Sequence, residues 1–446
     1  MSALADVYIA WGSRVTGSDL RLNNLTEELG RKGAAIFEGH RAENVPKDAD
    51  IVIRTTCIRD DNPEIVRAKE YGIPVIHRSA LLQRVMEEAP VSVAVTGTHG
   101  KTTTSALIAH MAEFCGADPT VMIGGEMEHF GGNAKSGKGR TIVAELDESD
   151  GHFRNISVYS AVVTNIEREH MEHFGSFRNL VGAYKEFIGR ISPAGVLVFN
   201  GEDELLAELA ENSPAETISF GIDGEFDVTC RGFSYAKSIE FELVVKGKSY
   251  GKVASPLLGR YNLMNILGAA GLSVYLGFDI KGITDAVRIF SGVKRRFETI
   301  GSIGDIRVIE DYAHHPTEVS AVIRAAKDLG EGRVIGIFQP HRHSRTNDLA
   351  REFMDCFNDS DVLILTDVYS ADEDPLEGIS IRDIYDRMDR GSFEILDFVG
   401  KDDIPGYVSR IAKSGDTILV LGAGDIREIS GPLVDEIRMR VRDCYG

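Results

Sequence analysis

The sequence predicts an α/β protein of about three domains with mainly parallel sheets. Short β-branched runs alternate with helical patterns over most of the 446 residues, as is typical of strand–helix–strand units. In addition, a glycine-rich segment directly follows one apolar run and precedes a helical pattern, which is the arrangement of a phosphate-binding turn. The length is sufficient for several hydrophobic cores, so the fold needs neither disulfides nor metals for stability.

The predicted elements are spread along the whole chain. Candidate strands lie at residues 50–54, 91–95, 141–146, 160–165, 334–338, 362–366 and 417–421. Between residues 216 and 253 polar and apolar residues alternate, which predicts antiparallel strands. Proline and glycine near residues 90 and 292 interrupt the pattern. We therefore expect domains at residues 1–90, 91–292 and 293–446.

Charge and cysteine content exclude several classes of protein. The chain has 49 Lys and Arg against 69 Asp and Glu, a net charge of −20, which disfavours binding to nucleic acid or to anionic membranes. Its five cysteines are scattered and form no C-x-x-C pair, so we expect reduced thiols in a cytoplasmic protein. No apolar run approaches the ~18 residues of a membrane span, and we expect no membrane insertion.

The glycine-rich segment at residues 96–104 predicts a nucleotide site. Backbone N–H groups of such a turn bind phosphate oxygens, Lys101 would neutralise the β- and γ-phosphates, and the hydroxyl of Thr102 would ligate Mg²⁺. The standard pattern has glycine where this chain has Val95, so the turn is a variant. We expect Lys101 to face solvent when no nucleotide is bound.

Acidic and imidazole side chains follow the next two predicted strands. Taken alone, four acidic residues within six positions (145–150) are typical of a solvated turn. However, the carboxyl ends of parallel strands gather at one edge of a sheet, where ligands bind, so we expect these groups beside the phosphate turn. They are Glu145, Asp147, Glu148, Asp150, His170 and His173.

Several motifs, jointly and in this order, resemble the Mur ligases, which are ATP-dependent amide-forming enzymes of bacterial peptidoglycan assembly. Two of them, His314-His315-Pro316-Thr317-Glu318 and Gln339-Pro340-His341-Arg342, resemble the L-alanine-adding branch. The others are Gly97-Thr98-His99-Gly100-Lys101-Thr102-Thr103, Asp147-Glu148-Ser149-Asp150, Thr164-Asn165-Ile166-Glu167 with His170, Gly259-Arg260-Tyr261-Asn262 with Asn265, Arg295-Arg296-Phe297, Asp311-Tyr312-Ala313 and Gly422-Ala423-Gly424-Asp425.

The resemblance implies a three-domain α/β architecture. It comprises a Rossmann-like N-terminal domain for a UDP-sugar, a central P-loop ATPase domain with a parallel sheet plus a small antiparallel sheet, and a Rossmann-like C-terminal domain. The implied reaction joins L-alanine to the lactyl carboxylate of UDP-N-acetylmuramate through an acyl phosphate, with ATP and Mg²⁺ as cofactors. The implied oligomeric state is a monomer or a weak homodimer.

The resemblance also implies roles for individual residues. Asn262 and Asn265 would lie on the adenine side of the nucleotide. The full nucleotide-binding set is Gly97, Thr98, His99, Gly100, Lys101, Thr102, Thr103, Asn262, Asn265, Arg296 and Asp311. The metal ligands would be Thr102, Glu145 and His170. The substrate-binding set is Ser18, Asp19, Thr55, Thr56, Tyr312, His315, His341, Arg342 and Arg345. The catalytic set is Lys101, His170, Arg296, His341, Arg342 and Arg345.

Some questions stay open at the level of sequence. The family's first strand and glycine turn would precede residues 1–5, so we expect either a misassigned or truncated start or a first domain that lacks this strand. Two alternatives to the L-alanine ligase are a recycling ligase that adds a tripeptide to the same UDP-sugar and a non-catalytic nucleotide-binding relative. His341 would either deprotonate the alanine amine or only position it.

Overall fold

The structure, a computed structural model, describes residues 1–235, 238–330, 332–371, 373–374 and 380–445. The chain forms two compact units. Unit 1 contains Met1–Arg231, Glu242–Val253 and Met264–Phe290, and unit 2 contains Gly232–Phe241, Ala254–Leu263 and Ser291–Gly446. Among the described residues, no helix is long and apolar enough to span a bilayer.

The first ninety residues of unit 1 carry two separate pairs of parallel strands. Strands β1 (Thr16–Asp19) and β2 (Ala35–Glu38) form one pair, and β3 (Val52–Arg54) and β4 (Val75–His77) form the other. The helices of this segment are α1 (Ser2–Ala10), α2 (Asn24–Arg31), α3 (Pro63–Glu70) and α4 (Arg78–Glu87). The helices α1 and α4 place buried apolar side chains in the same core cluster, which anchors this segment within unit 1.

The strands between Val91 and Ser255 belong to one mixed sheet, ordered β14-β13-β12-β11-β10-β9-β5-β8-β6-β7 in the described residues. Strand β5 lies between β9 and β8 and is parallel to both. The strands are β5 (Val91–Thr96), β6 (Thr120–Met127), β7 (Gly132–Lys135), β8 (Thr141–Glu145), β9 (Ser160–Val163), β10 (Val196–Asn200), β11 (Glu216–Phe220), β12 (Val228–Ser234), β13 (Ile239–Val245) and β14 (Lys248–Ser255).

Residues 216–253 extend this sheet. The first strand of the segment, β11, pairs with β10 in parallel over five residues, from Glu216 opposite Val196 to Phe220 opposite Asn200. The sequence predicted antiparallel strands throughout the segment, and this prediction was wrong for β11. Alternating polarity shows that one face of a strand is exposed, but it does not show the direction of the strand.

Helices pack on the sheet of unit 1. Helix α5 is almost entirely buried, with Thr104 and Ser105 fully inaccessible to solvent. The helices are α5 (Lys101–Phe114), α6 (Met171–Phe174), α7 (Phe177–Ile188), α8 (Glu204–Ala210), α9 (Arg260–Tyr275) and α10 (Ile280–Ile289). Short 3₁₀ turns occupy Ala42–Asn44, Glu128–Phe130, His152–Asn155, Arg390–Ser392, Lys401–Asp403 and Asp425–Ile429 along the chain.

Unit 2 contains a six-stranded sheet ordered β15-β16-β20-β17-β18-β19. The pair β15–β16 is antiparallel, and the other pairs are parallel. The strands are β15 (Glu298–Ile303), β16 (Ile306–Asp311), β17 (Val334–Phe338), β18 (Val362–Leu365), β19 (Ile395–Phe398) and β20 (Thr417–Leu421).

The sheet of unit 2 is covered on both faces. Along β20, Leu419 and Leu421 belong to one apolar cluster, while Ile418 and Val420 belong to another. This period-two division shows a sheet buried on both sides, as a parallel sheet requires. The helices are α11 (Pro316–Lys327), α12 (His343–Asp348), α13 (Ala350–Asp355), α14 (Ile381–Arg387), α15 (Ile404–Ile411) and α16 (Ser430–Tyr445).

Candidate functional site

The phosphate turn lies between β5 and α5, as predicted. Gly97 and Gly100 have positive φ angles of 131° and 79°. A Cβ atom at Gly97 would collide with the hydroxyl of Thr164, and one at Gly100 would collide with the side chain of Asn265. Only glycine fits these positions, so the backbone N–H groups at the start of α5 stay accessible to an anion.

The residues after β9 hold this turn in place. The amide nitrogen of His99 donates to Asn165 Oδ1 at 2.9 Å, and Thr98 N donates to Asn165 O at 3.0 Å. The Thr164 hydroxyl donates to His99 O at 2.6 Å. The predicted strand at residues 160–165 therefore ends early, at Val163, because its last two residues bond to the turn.

Lys101 points back into the turn. Its Nζ donates to Gly97 O at 2.6 Å and Thr98 O at 2.8 Å and lies 2.9 Å from Glu148 Oε2. Its side chain is 16% exposed and that of Glu148 is 2% exposed, so the expectation that Lys101 faces solvent was wrong. Burial acts to lower the pKa of Lys101, but the nearby carboxylates, Glu148 foremost, outweigh burial and raise it.

Thr102 and Glu145 form the part of the site that fits a divalent cation. The Thr102 hydroxyl donates to Glu145 Oε1 at 2.9 Å, and Gly124 N donates to Glu145 Oε2 at 2.6 Å. Hydroxyl and carboxylate oxygens are the protein ligands that Mg²⁺ prefers. Thr102 and Glu145 therefore fit Mg²⁺. Thr103, the next residue of α5 and also a predicted nucleotide-binding residue, is buried.

His170 lies beside Glu148. Its backbone is left-handed, with φ of 58°, and its Nε2 is 3.6 Å from Glu148 Oε1. Burial acts to lower the pKa of His170, but Glu148 and Glu172 outweigh burial and raise it to about 9. A protonated imidazole has no lone pair for a metal, so a ligand role for His170 requires the neutral ring.

Asn265 lies at the phosphate turn. Its Oδ1 accepts from Thr104 Oγ1 at 3.2 Å, and its amide faces Gly100. The sequence predicted this residue on the adenine side. Asn262, one turn earlier, donates to Leu258 O at 2.8 Å at the start of α9.

Two of the predicted sugar-nucleotide residues, Ser18 and Asp19, end β1, and the other two, Thr55 and Thr56, follow β3. Ser18 donates to Glu64 Oε2 at 2.7 Å, and Asp19 is exposed. Thr56 donates to Asp150 Oδ2 at 3.3 Å, whereas Thr55 lies 3.5 Å from Cys57 Sγ. Thr56 therefore contacts the acidic turn at residues 147–150. The partners of Ser18 and Thr55 lie within the first ninety residues.

In unit 2, Asp311 orders the segment at residues 295–297. Its carboxylate, 4% exposed, accepts from Phe297 N and from Ala313 N, each at 2.7 Å. Arg295 and Phe297 have φ angles of 61° and 55°, which is unusual for residues with side chains. Burial raises the pKa of Asp311 to about 6 despite the opposing charge of Arg296.

Three other predicted residues of unit 2 are Arg296, Tyr312 and His315. The Arg296 guanidinium lies over the Tyr312 ring, 5.0 Å from its centroid. His315, which is 5% exposed, caps α11 by accepting from Thr317 N at 3.3 Å. Arg296, Asp311 and Tyr312 thus form one cluster, while His315 has a capping role that its sequence motif did not reveal.

His341, Arg342 and Arg345 form a second cluster after β17. Arg345 NH1 donates to His341 O at 2.8 Å and lies 3.3 Å from His341 Nδ1. Since a guanidinium only donates, Nδ1 acts as the acceptor in this contact. The ring stacks on Tyr369 with centroids 5.5 Å apart. Arg345 is buried, whereas the Arg342 side chain is 36% exposed.

Sequence reasoning gave no roles to three residues that organise the site. Glu148 joins Lys101 and His170, and Thr164 and Asn165 hold the turn. The available signals were the position of Glu148 just after a predicted strand and the place of Thr164 and Asn165 at the end of another, within a motif shared with the Mur ligases.

Comparisons with known proteins cover nearly the whole chain. Three family models match in succession: the Mur ligase family catalytic domain at residues 1–89, the Mur ligase middle domain at 95–273, and the Mur ligase glutamate ligase domain at 295–424.

Individual relatives also match over nearly the whole chain. A UDP-N-acetylmuramate–L-alanine ligase of Pelotomaculum thermopropionicum is 37% identical over 98% of this chain and 95% of its own length. One of Carboxydothermus hydrogenoformans is 37% identical over 97% of this chain and 94% of its own. The crystal structure of the UDP-N-acetylmuramate–alanine ligase from Thermotoga maritima superposes with a TM-score of 0.83, at 30% identity, covering 99% of this chain and 97% of that one.

Proposed function

This chain belongs to the Mur ligase family, and we propose that it joins L-alanine to the lactyl carboxylate of UDP-N-acetylmuramate, with conversion of ATP to ADP and phosphate. The full-length similarity to L-alanine ligases carries this proposal. The phosphate turn with Lys101 supplies the chemistry that such a reaction needs. The scattered cysteines support a cytoplasmic location.

The first step forms an acyl phosphate. A lactyl carboxylate oxygen attacks the γ-phosphorus of ATP, the bond from that phosphorus to the β–γ bridging oxygen breaks, and ADP leaves. The Lys101 ammonium, paired with Glu148 in the structure, turns to the phosphate oxygens when ATP binds. There it stabilises the negative charge that develops on these oxygens. Thr102 and Glu145 would hold Mg²⁺, which when bound neutralises phosphate oxygens.

The second step forms the amide. The neutral amine of L-alanine attacks the acyl carbon, the C–O bond to phosphate breaks, and the departing phosphate takes the proton that the amine loses. We assign His341 a positioning role here, because its Nδ1 lies 3.3 Å from the Arg345 guanidinium, which can only donate. Arg342, the more exposed arginine, is assigned to the alanine carboxylate.

The test is phosphate release by the purified protein with ATP, Mg²⁺ and UDP-N-acetylmuramate. We expect release that depends on L-alanine, is absent without an amino acceptor and is absent from the Lys101→Ala variant. Release that responds only to the tripeptide would identify the recycling ligase instead. No release with any acceptor, from protein that binds ATP, would identify a non-catalytic relative.

A further inference from the structure

Arg78 joins two carboxylates that flank the buried Glu148. Arg78 is the first residue of α4, and its NH2 donates to Asp147 Oδ2 at 2.9 Å and to Asp150 Oδ2 at 3.2 Å. These two acids are the first and last residues of the acidic turn at 147–150. One guanidinium therefore holds both ends of the turn.

The turn is fixed internally by its own backbone. Asp147 Oδ1 accepts from Ser149 N at 3.0 Å, and Asp150 Oδ1 accepts from His152 N at 3.1 Å. In addition, Gly151 N donates to Glu148 O at 2.8 Å. Moving either aspartate therefore moves the backbone that carries Glu148.

Glu148 extends from this turn toward the phosphate site. Its carboxylate lies 2.9 Å from Lys101 Nζ and 3.6 Å from His170 Nε2, and it is 2% exposed. A shift of the turn would change the position of a buried charge shared by Lys101 and His170. Small misplacements of such groups are costly in catalysis.

The residues next to Arg78 strengthen the same contact. His77 Nε2 is 3.7 Å from Asp150 Oδ2, and the His77 ring stacks on His152 with centroids 4.0 Å apart. Thr56 donates to Asp150 Oδ2 as well. The segment at residues 1–89 thus contacts the acidic turn through several side chains, with Arg78 supplying the full positive charge.

We propose that Arg78 is a positioning residue of the ligase: its guanidinium holds Asp147 and Asp150 so that Glu148 is set correctly between Lys101 and His170. This inference rests on the proposed ligase function. Arginine suits the role because its planar fork donates to two carboxylates at once, whereas lysine offers a compact charge on a flexible stem. Without that cation, the Asp147 and Asp150 carboxylates that share it would repel each other.

The first test compares Arg78→Gln and Arg78→Lys with the control Arg84→Gln, an exposed arginine on the same helix. We expect Arg78→Gln to lower kcat roughly ten- to a hundredfold while the KM values for ATP, UDP-N-acetylmuramate and L-alanine change by less than about threefold. Arg78→Lys should recover part of the lost kcat, and Arg84→Gln should match the wild type. A rise in the KM for UDP-N-acetylmuramate with unchanged kcat would overturn the proposal and make Arg78 a substrate contact.

The second test is a double-mutant cycle with Asp147→Asn/Asp150→Asn. If Arg78 acts through these carboxylates, Arg78→Gln should cost little further kcat in that background. Equal losses in both backgrounds would overturn the positioning role. An inactive wild type would refute the ligase function, whereas an active wild type with an unaffected Arg78→Gln variant would refute this inference alone.

Discussion

Lys101 and Glu148 form an ion pair at the phosphate turn. The ammonium is bonded to Glu148 and to two carbonyl groups of its own turn. The phosphate groups of ATP must compete with Glu148 for Lys101. The Glu148 carboxylate also lies 3.6 Å from His170 Nε2, and binding of ATP to Lys101 leaves this contact in place.

Replacing Lys101 therefore affects stability as well as activity. We expect Lys101→Ala to lower turnover by about a hundredfold or more, through loss of a cation at the transferred phosphoryl group. We also expect it to lower the free energy of unfolding by about 3 kcal/mol, because it removes a partner of the buried Glu148. Phosphate release and urea denaturation measure the two effects.

The double variant Lys101→Ala/Glu148→Gln separates these effects. Neutralising the remaining carboxylate should recover much of the lost stability without restoring turnover. Turnover of Lys101→Ala within a few-fold of wild type would contradict the role of Lys101 at the phosphates.

At the level of elements, Asp311 connects the end of β16 to the segment at residues 295–297. Its pKa is raised from 3.8 to about 6, so the native carboxyl group holds its proton more tightly than the unfolded one. Its contribution to stability is fully present below about pH 3.8 and is lost as the pH rises through about 6.

We expect the wild type to lose unfolding free energy relative to Asp311→Asn as the pH rises from about 4 to about 7. The reason is that Asp311 loses its proton over this range, whereas asparagine does not titrate. Thermal melting of both proteins across about this range measures the shift. The control is Asp305→Asn, at an exposed position of the same hairpin. A pH-independent difference for Asp311→Asn would contradict the raised pKa.

The sequence was most informative where burial is complete. The predicted strands at 334–338 and 417–421 match β17 and β20 to the residue, because strands buried on both faces are continuous apolar runs. The exposed β1 and β2 were not predicted, since short half-exposed strands lack that signal.

The site was predictable in part. The phosphate turn, Glu145 and His170 gather at one sheet edge, as the order of strands and turns indicated. The partners of individual side chains were not predictable, because they depend on distances across the sheet. The pairing of Lys101 with Glu148, which follow the neighbouring strands β5 and β8, is an example.

For the whole molecule, the net charge of −20 opposes the approach of anionic ligands. The phosphate turn does not reverse this locally, since Glu145, Asp147, Glu148 and Asp150 surround Lys101 and Arg78. Salt screens such repulsion. We therefore expect the association rate of a fluorescent ADP, measured by stopped flow without Mg²⁺, to rise with ionic strength.

That rate is to be compared at about 20 mM and 200 mM monovalent salt, where the screening length falls severalfold. The uncharged nucleoside adenosine, in competition with the probe, controls for effects of salt on the protein itself. A rate that falls with salt would contradict the prediction and indicate that the cations of the site dominate the approach.

The two glycines of the phosphate turn also constrain the gene. Every glycine codon begins with two guanines, and any single-base change at either position encodes a residue with a Cβ atom or a stop. At Gly97 and Gly100 that atom would collide with Thr164 or Asn265. These codons can therefore vary only at their third base without altering the turn.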